Sequence, residues 1–371
     1  MKKFSFYSLL LSIFMAALFS LVACNDSSEK KQEKTKLSIV TTIYPEYAWL
    51  KEILGSRADS VELTLLMKNG VDLHSYKPTA QDIAKIASAD MIVYVGGESD
   101  KWIKDALEAT PKKGRSEINL MEALGDRVKA EEIVEGMEAE HHHHEEHAEE
   151  HEHEHEHHSE HAEAHEHDEH HNTHAQHRSK IGKKHEHHEE EVENDEHVWL
   201  SLKNAEILVQ KITVELAKLD LAHTSIYKDN AADYIARIKS LDDNYRTAIK
   251  SASRTTVLFG DRFPFRYLVD DYGLKYYAAF VGCSAESEAS FETIAFLAGK
   301  MDSLSLPAIF TIEKGNKKIA NAVLAASKNS KEAQILTINS MQSVTEQQIA
   351  EGESYLSIMQ SNLEILKKAL N

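Results

Sequence analysis

Leu37-Ser-Ile-Val-Thr-Thr-Ile43, followed at once by Tyr44-Pro45 and, past Gly55, by Val61-Glu-Leu-Thr-Leu-Leu66, is the stretch that decides the fold. The first run alternates and is rich in β-branched residues, which pack well on a pleated surface, so it reads as a strand. Proline fits the first turn of a helix, where its missing N–H costs nothing, and glycine suits the end of one. A helix from Pro45 to about Leu54 and a second strand at Val61–Leu66 follow. The same grammar continues with a helix from Pro78 to Ala87, a buried strand at Met91–Val95 and a helix at Trp102–Leu107. Strands alternating with helices of this length imply βαβ units and a mostly parallel sheet.

The second half of the chain repeats the plan. Strands are expected at Thr255–Phe259, Lys275–Phe280, Ala308–Ile312 and Gln334–Ile338. Helices are expected at Phe265–Tyr272, Phe291–Leu304, Lys317–Ala326 and Ser354–Leu370. Between the halves, Tyr227, Ala231, Tyr234, Ile235, Ile238, Leu241 and Tyr245 recur at helical spacing with no Gly or Pro among them. The fold class is therefore α/β, with two Rossmann-like lobes at 37–222 and 253–371 joined by a long helix at 223–252.

Two stretches stand apart from the fold. Lys2 and Lys3, the apolar run Phe4–Val22 and the ending Leu21-Val22-Ala23-Cys24 have the form of a secretory signal. A cysteine at the cleavage point resembles the lipobox of bacterial lipoproteins, with Cys24 as the lipidated residue. The polar stretch 25–36 then reads as a tether, and Cys283 is left without a disulfide partner. The second stretch runs from about 131 to 194. The net charge of −19 argues against nucleic acid as a partner, and nearly all of it lies here. Between Glu131 and Glu196 there are 24 acidic and 4 basic residues, whereas the rest of the chain is close to neutral. This insert also holds 20 of the 23 histidines. Such a composition builds no core. Its runs, including His141, His142, His143 and His144, then His151, His153, His155, His157 and His158, offer interchangeable nitrogen donors for Zn²⁺, Cu²⁺ or Ni²⁺. A tract that is ordered anew at each capture suits weak, multivalent collection better than one tight site.

Two histidines outside the insert sit where order is expected. His74 lies in Gly70-Val-Asp-Leu-His-Ser-Tyr-Lys-Pro78, just after the second strand. Ligands of open α/β sheets bind at the carboxyl ends of strands. His197 lies in Asn194-Asp-Glu-His-Val-Trp-Leu-Ser201, where apolar chain resumes. These motifs bring a family into view. With Asp82, Ala89-Asp90-Met-Ile-Val-Tyr94, Tyr272-Gly-Leu274 and Gly352-Glu-Ser-Tyr-Leu356, the chain resembles the zinc and manganese substrate-binding proteins of ABC transporters, cluster A-I, over Leu37–Asn371.

The resemblance implies a rigid connecting helix and one metal between the lobes, with His74 and His197 as its first two ligands. It also implies that the His-rich loop is that of zinc members. The third ligand of the family comes from the loop after the first strand of the second lobe. Here that stretch is Phe259-Gly-Asp-Arg-Phe-Pro264. Asp261 is the plausible donor, with Gly260 allowing a sharp turn, but alignment on Tyr267 places Arg262 in the column instead, and a cation cannot ligate. The fourth position falls at Asn339-Ser-Met-Gln342, which offers no carboxylate. Gln342 and Glu313 are further candidates, and Glu313 also reads as a salt-bridged surface residue.

Two imidazoles and one carboxylate suit Zn²⁺, whereas Mn²⁺ favours more oxygen. The expected function is an extracytoplasmic, lipid-anchored zinc-binding protein that serves an ABC permease and ATPase. A metal-buffering surface lipoprotein or adhesin, a manganese-binding relative and a zinc-dependent hydrolase are the alternatives. The hydrolase is disfavoured because the chain has no His-Glu-x-x-His pair.

Overall fold

The computed structural model describes residues 36–138, 193–284, 288–328 and 332–371. Cys24, the tether and the insert histidines lie outside the described residues. The chain divides into two compact units. The first takes residues up to Gly125, then Val198–Ser251 and Asn339–Glu364; the second takes Asp126–His197, Ala252–Ile338 and Ile365–Asn371. The lobe boundaries read from sequence shift accordingly. The insert and His197 belong with the second unit, and Gln342 belongs with the first.

In the first unit, β1 (Leu37–Thr41) leads into α1 (Tyr44–Leu54) and β2 (Val61–Leu65). The chain continues through α2 (Ala80–Ser88), β3 (Met91–Tyr94), α3 (Trp102–Ala109), β4 (Ser116–Asn119) and the short α4 (Leu120–Leu124). The sheet is parallel in the order β2-β1-β3-β4. Val40, Ile92, Ile86, Ile103 and Leu107 form part of its core. Two buried carboxylates finish the strand ends. Glu46 accepts the backbone N–H groups of Thr42 and Ile43, and Asp100 accepts those of Val95 and Gly96, both at 2.8 Å. Burial, and then the neighbouring Asp100, holds the Glu46 carboxyl well above the usual carboxylate range.

This unit also contains α5 (Leu202–Leu219), which the sequence reading passed over, and the long α6 (Thr224–Lys250). Tyr227, Ala231, Tyr234, Ile238, Leu241, Tyr245 and Ile249 form the buried face of α6, which packs on α1 and α5. Each large apolar side chain so buried contributes about 1.5–3 kcal/mol, far more than helix propensity does. No helix among the described residues is long and apolar enough to cross a membrane.

The second unit contains β5 (Thr256–Phe263), α7 (Arg266–Tyr272), β6 (Lys275–Val281), α8 (Phe291–Ser303), β7 (Ala308–Ile312), α9 (Lys318–Ala326) and β8 (Gln334–Ile338). Its parallel order, β6-β5-β7-β8, repeats that of the first sheet. The chain closes, across the two units, with the short α10 (Glu346–Ala350) and α11 (Tyr355–Leu370).

Strand β5 runs four residues beyond its expected end. It keeps pairing with β6 across a register shift between Phe259 and Arg262, out to Phe263 opposite Val281. The Phe263 ring stacks on Tyr276 at 3.8 Å, which holds the extension in place. Gly260 is therefore not a turn. A Cβ on it would stand 2.6 Å from the Cα of Ala320, so glycine is what lets α9 pack directly on β5.

The ends of the insert are paired. Ala130 and Asn194 form an antiparallel bridge, the N–H of Glu131 donates to the carbonyl of Glu193, and that of Asp195 donates to Lys129, both at 2.8 Å. Chain expected to be featureless from 131 onward is instead laid along the second unit as far as Glu138. Glu138 N–H donates to the Ala279 carbonyl, the carboxylate of Glu138 accepts from Ser290 N–H, and Met137 is buried.

Candidate metal centre

His197 is fully buried. One oxygen of Asp195 accepts both its backbone N–H, at 2.8 Å, and its ring at Nδ1, at 3.0 Å. A carboxylate on one ring nitrogen fixes the tautomer and the ring plane and leaves Nε2 as the nitrogen presented to a metal. Asp195 is itself pinned. Its carbonyl accepts from the hydroxyl of Tyr267, and that same hydroxyl accepts the N–H of Lys129, so one side chain on α7 clasps both ends of the insert. Burial alone would lower the pKa of His197. Asp195, assisted by Glu196, outweighs burial and the opposing Arg262, and the net pKa lies above the ordinary histidine value.

The neighbour of His197 in this unit is one the sequence reading considered only as a cysteine without a disulfide partner. Cys283 follows β6, and its Sγ lies within 4.8 Å of a ring nitrogen of His197. Gly282 makes the approach possible, since a Cβ there would stand 3.1 Å from Cε1 and Nδ1 of the imidazole. Glu131 accepts the N–H of Cys283 at 3.2 Å. Burial first, then the carboxylates of Glu131, Glu196 and Asp195, push the Cys283 thiol above its ordinary range. Burial also raises the Glu131 carboxyl, while the hydrogen bonds of Cys283 oppose it. Counted as charges, this pocket of the second unit holds three carboxylates and one guanidinium, a field that favours a dication.

In the first unit, His74 sits in a short 3-10 turn, Leu73–Ser75, after β2. Asp72 caps that turn by accepting the N–H of His74 at 3.0 Å. The His74 ring is held at Nδ1 by the hydroxyl of Ser99, 2.7 Å away, on the turn that follows β3. The rest of the motif fixes the loop, because Asp82 accepts the hydroxyl of Tyr76 and both donors of Thr79. His74 is thus held from the carboxyl ends of two strands, with Nε2 again the nitrogen offered. Nearby in the sequence, Trp199 donates to the Ser340 carbonyl and accepts from the Tyr355 hydroxyl, each at 2.8 Å, which anchors the segment just past His197.

Of the remaining candidates, Asp261 is placed differently from expectation. Asp261 lies inside β5, not in a loop, and it serves the backbone. Its Oδ1 accepts the N–H of Arg262 at 2.9 Å and its Oδ2 that of Ile312 at 3.2 Å. Burial lifts its carboxyl above the usual range against these bonds and Arg262. Among the described residues, no group of three His, Cys, Asp or Glu side chains close enough to share a metal includes Asp261 or Glu313. Glu313 occupies the turn after β7. Gln342 is buried and donates to the hydroxyl of Ser340 at 3.1 Å. One signal in the sequence pointed to Cys283, namely its place just past a strand, which is the place His74 occupies in the first lobe.

Comparison with known proteins gives consistent matches. The model of a family described as zinc-uptake complex component A, periplasmic (ZnuA), matches residues 39–369. The zinc-binding lipoprotein AdcA of Streptococcus pneumoniae is 32% identical over 370 residues, 99% of this chain and 61% of AdcA. This chain thus spans less than two thirds of that relative. The high-affinity zinc uptake system protein ZnuA of Bacillus subtilis is 29% identical over 360 residues, 96% of each chain. Among solved structures, the Zn(II)-bound ZnuA-like domain of S. pneumoniae AdcA aligns with a TM-score of 0.61 at 27% identity, covering 90% of this chain and 99% of that one. The metal-dependent lipoprotein YcdH of B. subtilis aligns at 0.63 and 25%, with coverage of 90% and 99%.

Proposed function

Because the chain belongs to the ZnuA family of periplasmic zinc-uptake components, we propose that it is an extracytoplasmic zinc-binding protein that hands Zn²⁺ to an ABC importer. On this reading it is a carrier and not an enzyme, it is anchored through lipid on Cys24, and its partners are a permease and an ATPase subunit. His74 and His197 both ligate the transported zinc.

The observation that carries the reading is the buried His197 held by Asp195. A neutral imidazole costs little to bury, but a fully buried ring with one nitrogen locked on a carboxylate is the arrangement used to orient a zinc ligand. His74 offers a second imidazole held in the same sense by a hydroxyl. The insert histidines collect further zinc weakly and raise its local concentration. Nitrogen-weighted ligation favours Zn²⁺ over Mn²⁺.

Calorimetry on the mature protein tests this. One tight zinc and several weaker ones are expected, and deletion of residues 139–192 should remove only the weaker ones. His74→Ala and His197→Ala should each weaken the tight event by more than that deletion does. Loss of the tight event with the insert would place the site in the histidine tract and overturn the assignment.

A further inference from the structure

The second lobe is short of a ligand. Arg262 is unable to coordinate a metal, and the carboxylate of Asp261 is engaged by the N–H groups of Arg262 and Ile312. Cys283 stands in the second lobe where His74 stands in the first. Each follows the second strand of its lobe, and that strand is the edge strand of a sheet with the same order. The absence of a side chain at Gly282 brings this strand end against the imidazole of His197. Zinc takes nitrogen at about 2.0–2.1 Å and sulfur at about 2.3 Å, so tetrahedral ligation sets the two donors about 3.6 Å apart. The ring nitrogen and Sγ lie within 4.8 Å, so a closure of at most about 1.2 Å brings both onto one ion.

We propose that Cys283 ligates the transported zinc through its sulfur, beside His197. The inference rests on the reading of His197 as a zinc ligand. On binding, the Sγ–H bond breaks, the freed lone pair forms the Zn–S bond, and the proton passes to the Glu131 carboxylate. That carboxylate already accepts the Cys283 N–H. A thiolate is a soft donor that Zn²⁺ takes readily and Mn²⁺ does not. Cys283 therefore sets the selectivity of the site, a role that a carboxylate at Asp261 would have filled in the opposite sense.

Zinc K-edge X-ray absorption separates the possibilities. Cys24→Ser leaves Cys283 as the only thiol in the chain. The full-length protein with that substitution, loaded with one equivalent of zinc and dialysed, should show a sulfur shell at about 2.3 Å. A shell of nitrogen and oxygen alone overturns the role of Cys283 and leaves the zinc-binding function standing. Failure to retain zinc overturns both. The same protein loaded with Co²⁺ should show a thiolate-to-cobalt charge-transfer band in the near ultraviolet, lost in Cys283→Ser. Cys283→Ser should also weaken zinc at least tenfold, the loss typical even of residues outside the ligand set. It should narrow the preference for Zn²⁺ over Mn²⁺ by a similar factor. An unchanged ratio would refute the selectivity role.

Discussion

Replacing Asp195 by Asn keeps the shape of the side chain and an oxygen for Nδ1–H but removes the charge. The structure sets the size of the effect. Asp195 is almost fully buried, and one of its oxygens carries both hydrogen bonds to His197. Loss of such an orienting partner weakens metal binding by about 10–100-fold, or about 1.4–2.7 kcal/mol. The pH dependence carries a second signature. Protons and zinc compete for Nε2, so affinity falls as the pH drops through the raised pKa of His197. Without the Asp195 charge, burial and Arg262 act against Glu196 alone, with Glu131 and Cys283 the other ionisable groups of the pocket. The midpoint then moves to lower pH although the affinity at high pH is poorer.

Stability of the zinc-free protein follows the opposite course. A raised folded-state pKa means that the charged His197–Asp195 pair stabilises below the unfolded histidine pKa of about 6.5. That stabilisation disappears as the pH rises through the folded value. Asp195→Asn should flatten this slope. Titration against a chromophoric chelator at several pH values, with denaturant unfolding of the zinc-free protein, checks both. Superimposable affinity and pH midpoints in the two proteins would refute the orienting role of Asp195.

Asp261→Ala leaves the Ile312 N–H without its acceptor, which costs about 1–3 kcal/mol in chemical denaturation, while zinc affinity stays unchanged. A large loss of zinc binding would return Asp261 to the ligand set. Gly282→Ala pushes a methyl group to 3.1 Å from the His197 ring and 2.9 Å from the Phe263 carbonyl, so zinc binding weakens and stability falls by about 1–3 kcal/mol. Thermal melts with and without zinc report the two effects separately. Cys24→Ser moves the protein from the membrane to the soluble fraction with its zinc affinity intact, and fractionation followed by calorimetry decides it.

Much of the fold was legible because its signals are local. Pro45 and Gly55 bracket α1 as expected, β7 and β8 fall on the expected residues, and the spacing of Tyr227 to Tyr245 marks α6. What escaped depends on contacts distant in sequence. Stacking of Phe263 on Tyr276 carries β5 through Asp261, and no local pattern announces it. The assignment of 126–197 to the second unit rests on Tyr267, 72 residues from Asp195, and on the partners of Glu131 and Glu138, each 152 residues away. The site divides the same way. His74 and His197 stood out by motif, whereas Cys283 carries no motif and shows its place only once β6, Gly282 and the buried imidazole are assembled.

The clasp formed by Lys129, Ala130 and Glu131 with Glu193, Asn194 and Asp195 has a consequence for how such proteins diversify. Its two ends are joined to each other before the chain reaches His197, so the clasp sets the approach to the imidazole. The entropy of closing a loop grows so slowly with its length that each doubling costs about 0.6 kcal/mol. A change in the length or composition of the segment between Glu138 and Glu193 should therefore leave the imidazole beyond the clasp in position. On the proposed function, the histidine content of that segment can change without retuning the site beyond the clasp.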